Sequence, residues 1–503
     1  MRAGLLPAGR DARLPAGLHA EGVVDLDFLP AWRLAELTRA GEIGCLELLD
    51  HMIARVVRLN PRLNAVVVTD LERARHRARQ LDHGGREGAG PLFGVPMTVK
   101  ESFDLAGLPT TWGNESRRGH RAEADALAVA RIEAAGAVVF GKTNVPVNLA
   151  DWQSYNPVYG ASGNPWNLAH TPGGSSGGSA AALAAGFAAL ERGSDIAGSI
   201  RVPAHFCGVF GHKPSWGLCP PRGHSLSGAV AVTDISVIGP LARSARDLAL
   251  ALEAIAGPDE SESGLAVTLP PPRATRLADL RIAVWSHEPG HATDPETVAL
   301  IEQLAAHLES EGAEVSRVAR PDIDVTEAWH LFLTLLDAAL SGRLTDQALA
   351  ERRAAKASLH ADDQSADAVM LRATDLPHHA WVRLNERRHR LRRVWSAFFR
   401  EWDVLLCPAM AMPAPPHMQD RPTWERRVTI GGRDIAYNDM SFWAGLTGAF
   451  HLPATVAPIG LSQAGLPIGV QIAGPLHGDR TTLAVAALLE QSWRGFTPPP
   501  GWS

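Results

Sequence analysis

Residues 173–199 read GGSSGGSAAALAAGFAALERGSDIAGS. A glycine–serine cluster opens an alanine-rich segment, and a second glycine–serine turn closes it. Glycine beside serine marks backbone that must come close to another group, or N–H groups that converge on a developing negative charge. Ser175 and Ser199 stand 24 positions apart. The apolar stretch between them predicts a helix over Ala180–Leu190, short enough to bring both ends near one point. A linker would have polar flanks, whereas a glycine loop feeding a helix N-terminus is a ready anion or oxyanion site. No Gly-Lys-Ser/Thr follows, so a nucleotide P-loop is excluded. The stretch reads as catalytic, with a serine nucleophile.

The second turn carries the more telling chemistry. Ala197, Gly198 and Ser199 are small, so the amides of Ile196, Ala197, Gly198 and Ser199 can point into one small volume, as main-chain stabilisation of a tetrahedral oxyanion requires. Asp195 and Arg201 flank the turn and are expected to hold it as a charge-assisted structural pair. A serine nucleophile also needs a base. The chain has twenty histidines, and none stands in a setting that singles it out; His205 and His212 read as structural. Lys100 closes the apolar run LFGVPMTVK, and burial there would lower its pKa toward that of a base working near neutral pH. A lone lysine in such a run is otherwise a snorkelling surface residue.

Two pattern matches mislead. His287-Glu288-Pro289-Gly290-His291 fits the HExxH zinc string, but a Pro-Gly pair prevents the continuous helix that would put both histidines on one face. A polar turn is expected there, and no metal. The glycine cluster also satisfies GxSxG around Ser175 and Ser176, yet the preceding NPWNLAHTP is loop, not the buried strand that feeds a nucleophile elbow.

Outward from this stretch, helix and strand signals alternate, which favours an α/β fold with helices covering a sheet. Leu49, Met52, Ile53, Val56 and Val57 mark a helix over 45–59 with Pro61 beyond its end, and Ala65–Val68 reads as a strand. Leu127–Ala135 is a helix closed by Gly136, followed by a strand over Ala137–Phe140. The unit recurs with strand Leu280–Trp285, Asp294 capping a helix with Pro295 at its first position, and Gly312 ending it. Strands Val404–Cys407 and Ile468–Ile472 need neighbours, and strands of the first half are the simplest ones. Residues 257–276 have linker composition, although one domain is the simpler reading. Residues 340–400 carry helix formers and no strand signal, which predicts a helical insertion. The arginine-dense 382–394 reads as a solvated helix face.

Across all 503 residues, 46% are hydrophobic and 20% charged, with a net charge of −6. That balance suits a globular chain with a large core and disfavours nucleic acid as a partner. Four scattered cysteines without CxxC pairing suit a reducing compartment. No apolar run is long enough to span a bilayer, and the first 25 residues lack a secretory pattern. A cytoplasmic enzyme is expected, with a loose extension over 1–25, one domain over 26–495 and a tail over 496–503.

Taken together, Phe93–Lys100, Gly141–Pro146, Asn164–Trp166 with Pro172–Ser179, Gly193–Pro203, Phe206–Pro214, Asp403–Pro408, Leu452–Gly460 and Gly465–Gly474 resemble the amidase signature family. The resemblance implies a single α/β/α domain around a large mixed sheet. It implies Ser199 as acylated nucleophile, Ser175 as bridging serine behind a cis peptide after Gly174, and Lys100 as base. Ser176, Asp195 and Arg201 match the supporting shell. The sequence departs from the family pattern in Ala197, where glycine is usual, in Glu101, where aspartate is frequent, and in Val202, where the tRNA-dependent amidotransferase subunits carry glutamine.

The expected activity is cleavage of a small carboxamide to a carboxylate and ammonia or amine, without metal or organic cofactor, and with esters as further substrates. Asp151, Trp152 and Gln153 are expected to line the substrate pocket. A homodimer is an open option. The rival readings are a glutaminase subunit of an amidotransferase, a Ser-His-Asp esterase, and an inactive binding protein of the same fold.

Overall fold

The computed structural model describes residues 26–225, 229–262 and 264–502; the extension expected over 1–25 and the last residue of the tail lie outside them. Among the described residues, eleven strands form one mixed sheet. In chain order they are β1 (Val66–Thr69), β2 (Pro96–Lys100), β3 (Val138–Thr143), β4 (Leu190–Asp195), β5 (Phe210–Lys213), β6 (Val237–Ala242), β7 (Arg281–Val284), β8 (Glu314–Ser316), β9 (Val404–Pro408), β10 (Ala454–Leu461) and β11 (Pro467–Ala473). Across the sheet the order is β1-β3-β2-β4-β6-β5-β10-β11-β9-β7-β8. β3, β2 and β4 run parallel, as do β9, β7 and β8, while the middle of the sheet is antiparallel.

Strand alternation puts successive side chains on opposite faces. Val138, Phe140 and Leu241 join the apolar cluster around helices Cys45–Leu63 and Gly177–Ala184. Val139 and Ala242 turn the other way, onto Leu248 and Leu252 of helix Ala245–Ile255. The architecture is therefore the expected α/β/α layering. A third cluster covers the β7–β9 half, where Trp329, Phe332, Trp395 and Phe399 pack with Phe442, Trp443 and Phe450. Those residues come from helices Val325–Ser341, His378–Glu401 and Phe442–Gly448, with Phe450 just beyond the last, and the run from 325 to 401 contains only helices and their connections. Within the arginine-dense segment Arg388 departs from a solvated face: it is buried and pairs with Asp234 at 2.9 Å. No helix among the described residues is long and apolar enough to cross a membrane.

Several local expectations are corrected. The helix expected over 45–59 runs through Pro61 to Leu63, because the Asn60 side chain takes the amides of Ala65 and Val66 and so secures the end of its last turn. Val57 on that helix faces outward, 42% exposed. The alanine-rich segment after Ser179 is not one helix to Leu190. It stops at Ala184, Gly186 takes a left-handed turn at φ 71°, and Leu190 opens strand β4. Helix, turn and strand together, not a helix alone, bring the two serine sites close. The partners of β9 are β11 and β7, both from the second half, and the halves join through β5 and β10. At the C-terminus Trp502 is buried, with its indole N–H donated to Pro165 O at 2.7 Å.

Candidate active site

Lys100 ends β2 beside β4, on which Ser194 lies. Its amine is wholly buried, and Nζ donates to Ser175 Oγ at 2.7 Å and Ser194 Oγ at 2.9 Å. Burial disfavours the charged form, so the pKa falls well below 10.5; Asp195 opposes the shift and Arg343 adds to it. The lysine is thus set among hydroxyls, and no carboxylate forms a salt bridge with it among the described residues.

Ser175 follows a cis peptide bond after Gly174. A Cβ on Gly174 would meet Asp151 O at 2.3 Å, so only glycine lets the 151–153 segment lie against the serine loop. The Ser176 amide donates to Ser199 O at 3.1 Å, and its hydroxyl lies 3.4 Å from both the amide and the carbonyl of Ser194. These bonds tie the glycine cluster to the second serine turn. Ser199 retains 5% exposure against 1% for Ser175, so the second serine is the more open to a substrate. No hydrogen bond joins the two serine hydroxyls among the described residues.

The turn between them is organised by one carboxylate. Asp195 accepts from the amides of Gly198 at 2.8 Å, Ile200 at 3.1 Å and Arg201 at 3.3 Å. It also accepts Arg201 Nε and Nη2, each at 2.9 Å. Burial raises its pKa, but the Arg201 guanidinium overrides this and holds the carboxyl well below the usual range. The remaining Arg201 nitrogen, Nη1, reaches Ala444 O, Thr447 Oγ1 and Gln471 Oε1, which anchors the turn to β11 and to helix Phe442–Gly448. The amides of Ile196, Ala197 and Ser199 have no acceptor among the described residues, whereas that of Gly198, expected to point with them, is held by Asp195. Gly198 sits at φ 101°, and a Cβ there would meet Val202 Cγ2 at 2.8 Å. The position therefore requires glycine on two counts.

Two of the three expected pocket residues are committed elsewhere. The Asp151 carboxylate takes Arg426 Nη1 at 2.7 Å and Tyr437 Oη at 2.9 Å. Gln153 is fully buried and exchanges hydrogen bonds with the Met418 backbone. Both brace the loop, and Trp152 alone of the three stands against the turn, donating Nε1 to Ala197 O at 3.0 Å. The histidines are structural as expected: His205 bonds the Gly469 and Met412 backbone, and His212 sits between Thr455 and Asp479. Residues 287–291 form a tight turn, closed by a bridge between Glu288 and His291, with the His291 ring stacked on Phe442 at 3.7 Å. Sequence reasoning missed Ser194, whose signal was a hydroxyl inside a fully buried strand. It also missed Thr447 and Gln471, which carried no local signal because they meet Arg201 only through the fold.

The family model described as Amidase matches residues 47–483. The chain belongs to the amidase signature family and is a hydrolase acting on carbon–nitrogen bonds. It is 31% identical to an indoleacetamide hydrolase of Bradyrhizobium diazoefficiens over 92% of this chain and 87% of that protein. It is also 31% identical to a subunit of the glutamyl-tRNA(Gln) amidotransferase of a Synechococcus species, over 94% of this chain and 97% of that one. Among solved structures, 6-aminohexanoate cyclic dimer hydrolase complexed with substrate superposes with a TM-score of 0.78 at 31% identity, covering 95% of this chain and all of that one.

Proposed function

We propose that the protein is a stand-alone amidase that hydrolyses a small carboxamide through an acyl-enzyme on Ser199, with Ser175 as proton bridge and Lys100 as base. The observation that carries this reading is the buried Lys100 amine, 2.7 Å from Ser175 Oγ and with its pKa lowered. Neutral Lys100 takes the Ser175 proton while Ser175 takes that of Ser199, and Ser199 Oγ attacks the amide carbon. The carbonyl oxygen becomes an oxyanion facing the free amides of Ile196, Ala197 and Ser199. The C–N bond then breaks, and the proton on Lys100 returns through Ser175 to the departing nitrogen. Water repeats the sequence on the ester: its proton passes to Lys100, the acyl group leaves as a carboxylic acid that ionises, and Ser199 regains its proton. The hydrogen bond between the two serine hydroxyls forms when substrate fills the site, since catalytic contacts tighten on binding. Trp152, against the oxyanion turn, lines the pocket.

The rival reading, a glutaminase working inside an amidotransferase, is favoured by the Synechococcus relative. It predicts that this chain by itself has little glutaminase activity and co-purifies with partner chains. The stand-alone reading predicts amide hydrolysis by the purified chain, abolished in Ser199→Ala. A panel of aliphatic, aryl and amino-acid amides decides between them: turnover by the pure chain that survives in Ser199→Ala rejects the proposed nucleophile, and no turnover of any amide rejects the stand-alone enzyme.

A further inference from the structure

Arg343 follows helix Val325–Ser341, and its charge reaches the active site from the helical layer. Its guanidinium carbon lies 5.1 Å from the centroid of the Trp112 ring, and Nη2 is 3.5 Å from Thr233 Oγ1. It is close enough to Lys100 and to His224 for its charge to lower both their pKa values. Burial lowers its own, and no carboxylate forms a salt bridge with it among the described residues. Arg343 is half-buried, and a cation partly withdrawn from water is normally matched by an acid. Here the match is missing.

The surroundings of Arg343 share that deficit. Trp112 is 1% exposed, and its indole N–H has no acceptor among the described residues. Its backbone takes a left-handed conformation at φ 54°, and its amide N–H donates a hydrogen bond to Glu101 Oε2 at 2.9 Å. His224, whose ring centroid is 5.4 Å from that of Trp112, has its pKa lowered chiefly by burial and bonds Ser102 Oγ at 2.9 Å. The Glu101 carboxylate is engaged by the Thr111 amide and hydroxyl, the Trp112 amide and Tyr159 Oη. Within electrostatic reach of the proposed base there is thus a half-buried cation and, against it, an unpartnered N–H donor, with the nearby acid already committed.

We infer that Arg343 binds an anionic group of the substrate, so that the amide cleaved at Ser199 carries a carboxylate. The inference rests on the amidase reading and adds a substrate class to it. The carboxylate can sit on the acyl side or the amine side of the scissile bond, and two pairs of isosteres separate these: glutaramate against 5-methylhexanamide, and 4-acetamidobutyrate against N-(4-methylpentyl)acetamide. In the wild type the ratio of kcat/KM, anion over neutral, is expected to exceed about tenfold in one pair, the scale of one desolvated charge-assisted contact. In Arg343→Met that ratio falls by about tenfold or more, and Arg343→Lys restores part of it. Any effect of Arg343 on Lys100 touches both members of a pair and cancels. A ratio of one or less in both pairs, or one that Arg343→Met leaves unmoved, overturns the inference. Failure of the amidase reading looks different: neither member of either pair is cleaved. Calorimetry with glutarate as the probe then decides, since binding at least about tenfold weaker in Arg343→Met supports the anion site, and absent or unchanged binding overturns it.

Discussion

Replacing Asp195 with asparagine tests how the turn is built. The carboxylate accepts five N–H groups, Gly198 N and Arg201 Nη2 on Oδ1, and Ile200 N, Arg201 N and Arg201 Nε on Oδ2. Asparagine offers one oxygen and one NH2. If the NH2 takes the Oδ1 side it faces two donors, and on the Oδ2 side it faces three. Either way the Arg201 guanidinium, wholly buried, loses its counter-charge. Removing one partner of a buried pair costs about 3–5 kcal/mol, and this is the expected loss in equilibrium denaturation by urea. Chemistry suffers separately, because this carboxylate holds the Gly198, Ile200 and Arg201 amides that flank the free amides of Ile196, Ala197 and Ser199. Loss of an aligned oxyanion donor lowers kcat about 10²–10³-fold, measured on folded protein well below the unfolding midpoint. Asp195 raises the Lys100 pKa, so the acid limb of kcat/KM should move to lower pH in the variant. Wild-type unfolding together with kcat within about threefold of wild type would refute the reasoning, since it would mean that the turn holds its shape without the pair.

Lys100→Met should lower kcat by about 10²–10⁴-fold with little change in KM, the range for loss of a general base. In the wild type the acid limb of kcat/KM should lie well below 10.5, because burial depresses Lys100 and activity needs it neutral. A limb near the ordinary lysine value would exclude it as base. Ser175→Ala should be nearly as damaging as Ser199→Ala, yet leave Ser199 able to react slowly with an activated ester. Glu191, buried beside Thr98, is pushed by burial up to about 8 from 4.5. The folded chain therefore holds a proton that the unfolded chain releases, and stability falls as pH rises from 4.5 towards 8. At pH 7 the cost is about 3 kcal/mol. Glu191→Gln should flatten that slope and raise stability at pH 8, as pH-dependent denaturation would show; an unchanged slope would mean that Glu191 is ionised in the fold.

The parts of the site legible in the sequence are those written locally. The serine turns, the Asp195–Arg201 pair and Lys100 at the end of an apolar strand each show their chemistry in residue type and spacing. What escapes is set by distant partners. Asp151 and Gln153 look like pocket residues because nothing in their own segment reveals Arg426, Tyr437 or Met418, all more than 260 positions away. The Gly198 amide counts among the oxyanion donors in the sequence because composition does not say which way each N–H of a turn points. Apolar runs such as Val404–Cys407 reveal strand positions but not strand partners, because pairing depends on the register of the whole sheet. The helix after Ser179 reads too long because alanine and leucine favour helix, and the one residue that ends it, Gly186, is also tolerated inside a helix.

Trapping the acyl-enzyme position tests the central claim most directly. Trypsin releases Ser199 in the peptide Gly193–Arg201, which also contains Ser194. After reaction with a fluorophosphonate, fragmentation of that peptide by mass spectrometry should place the added group on Ser199, with labelling abolished in Ser199→Ala and strongly slowed in Lys100→Met. A label on Ser175 or Ser194, or labelling that persists in Ser199→Ala, would contradict the assignment of Ser199 as the nucleophile.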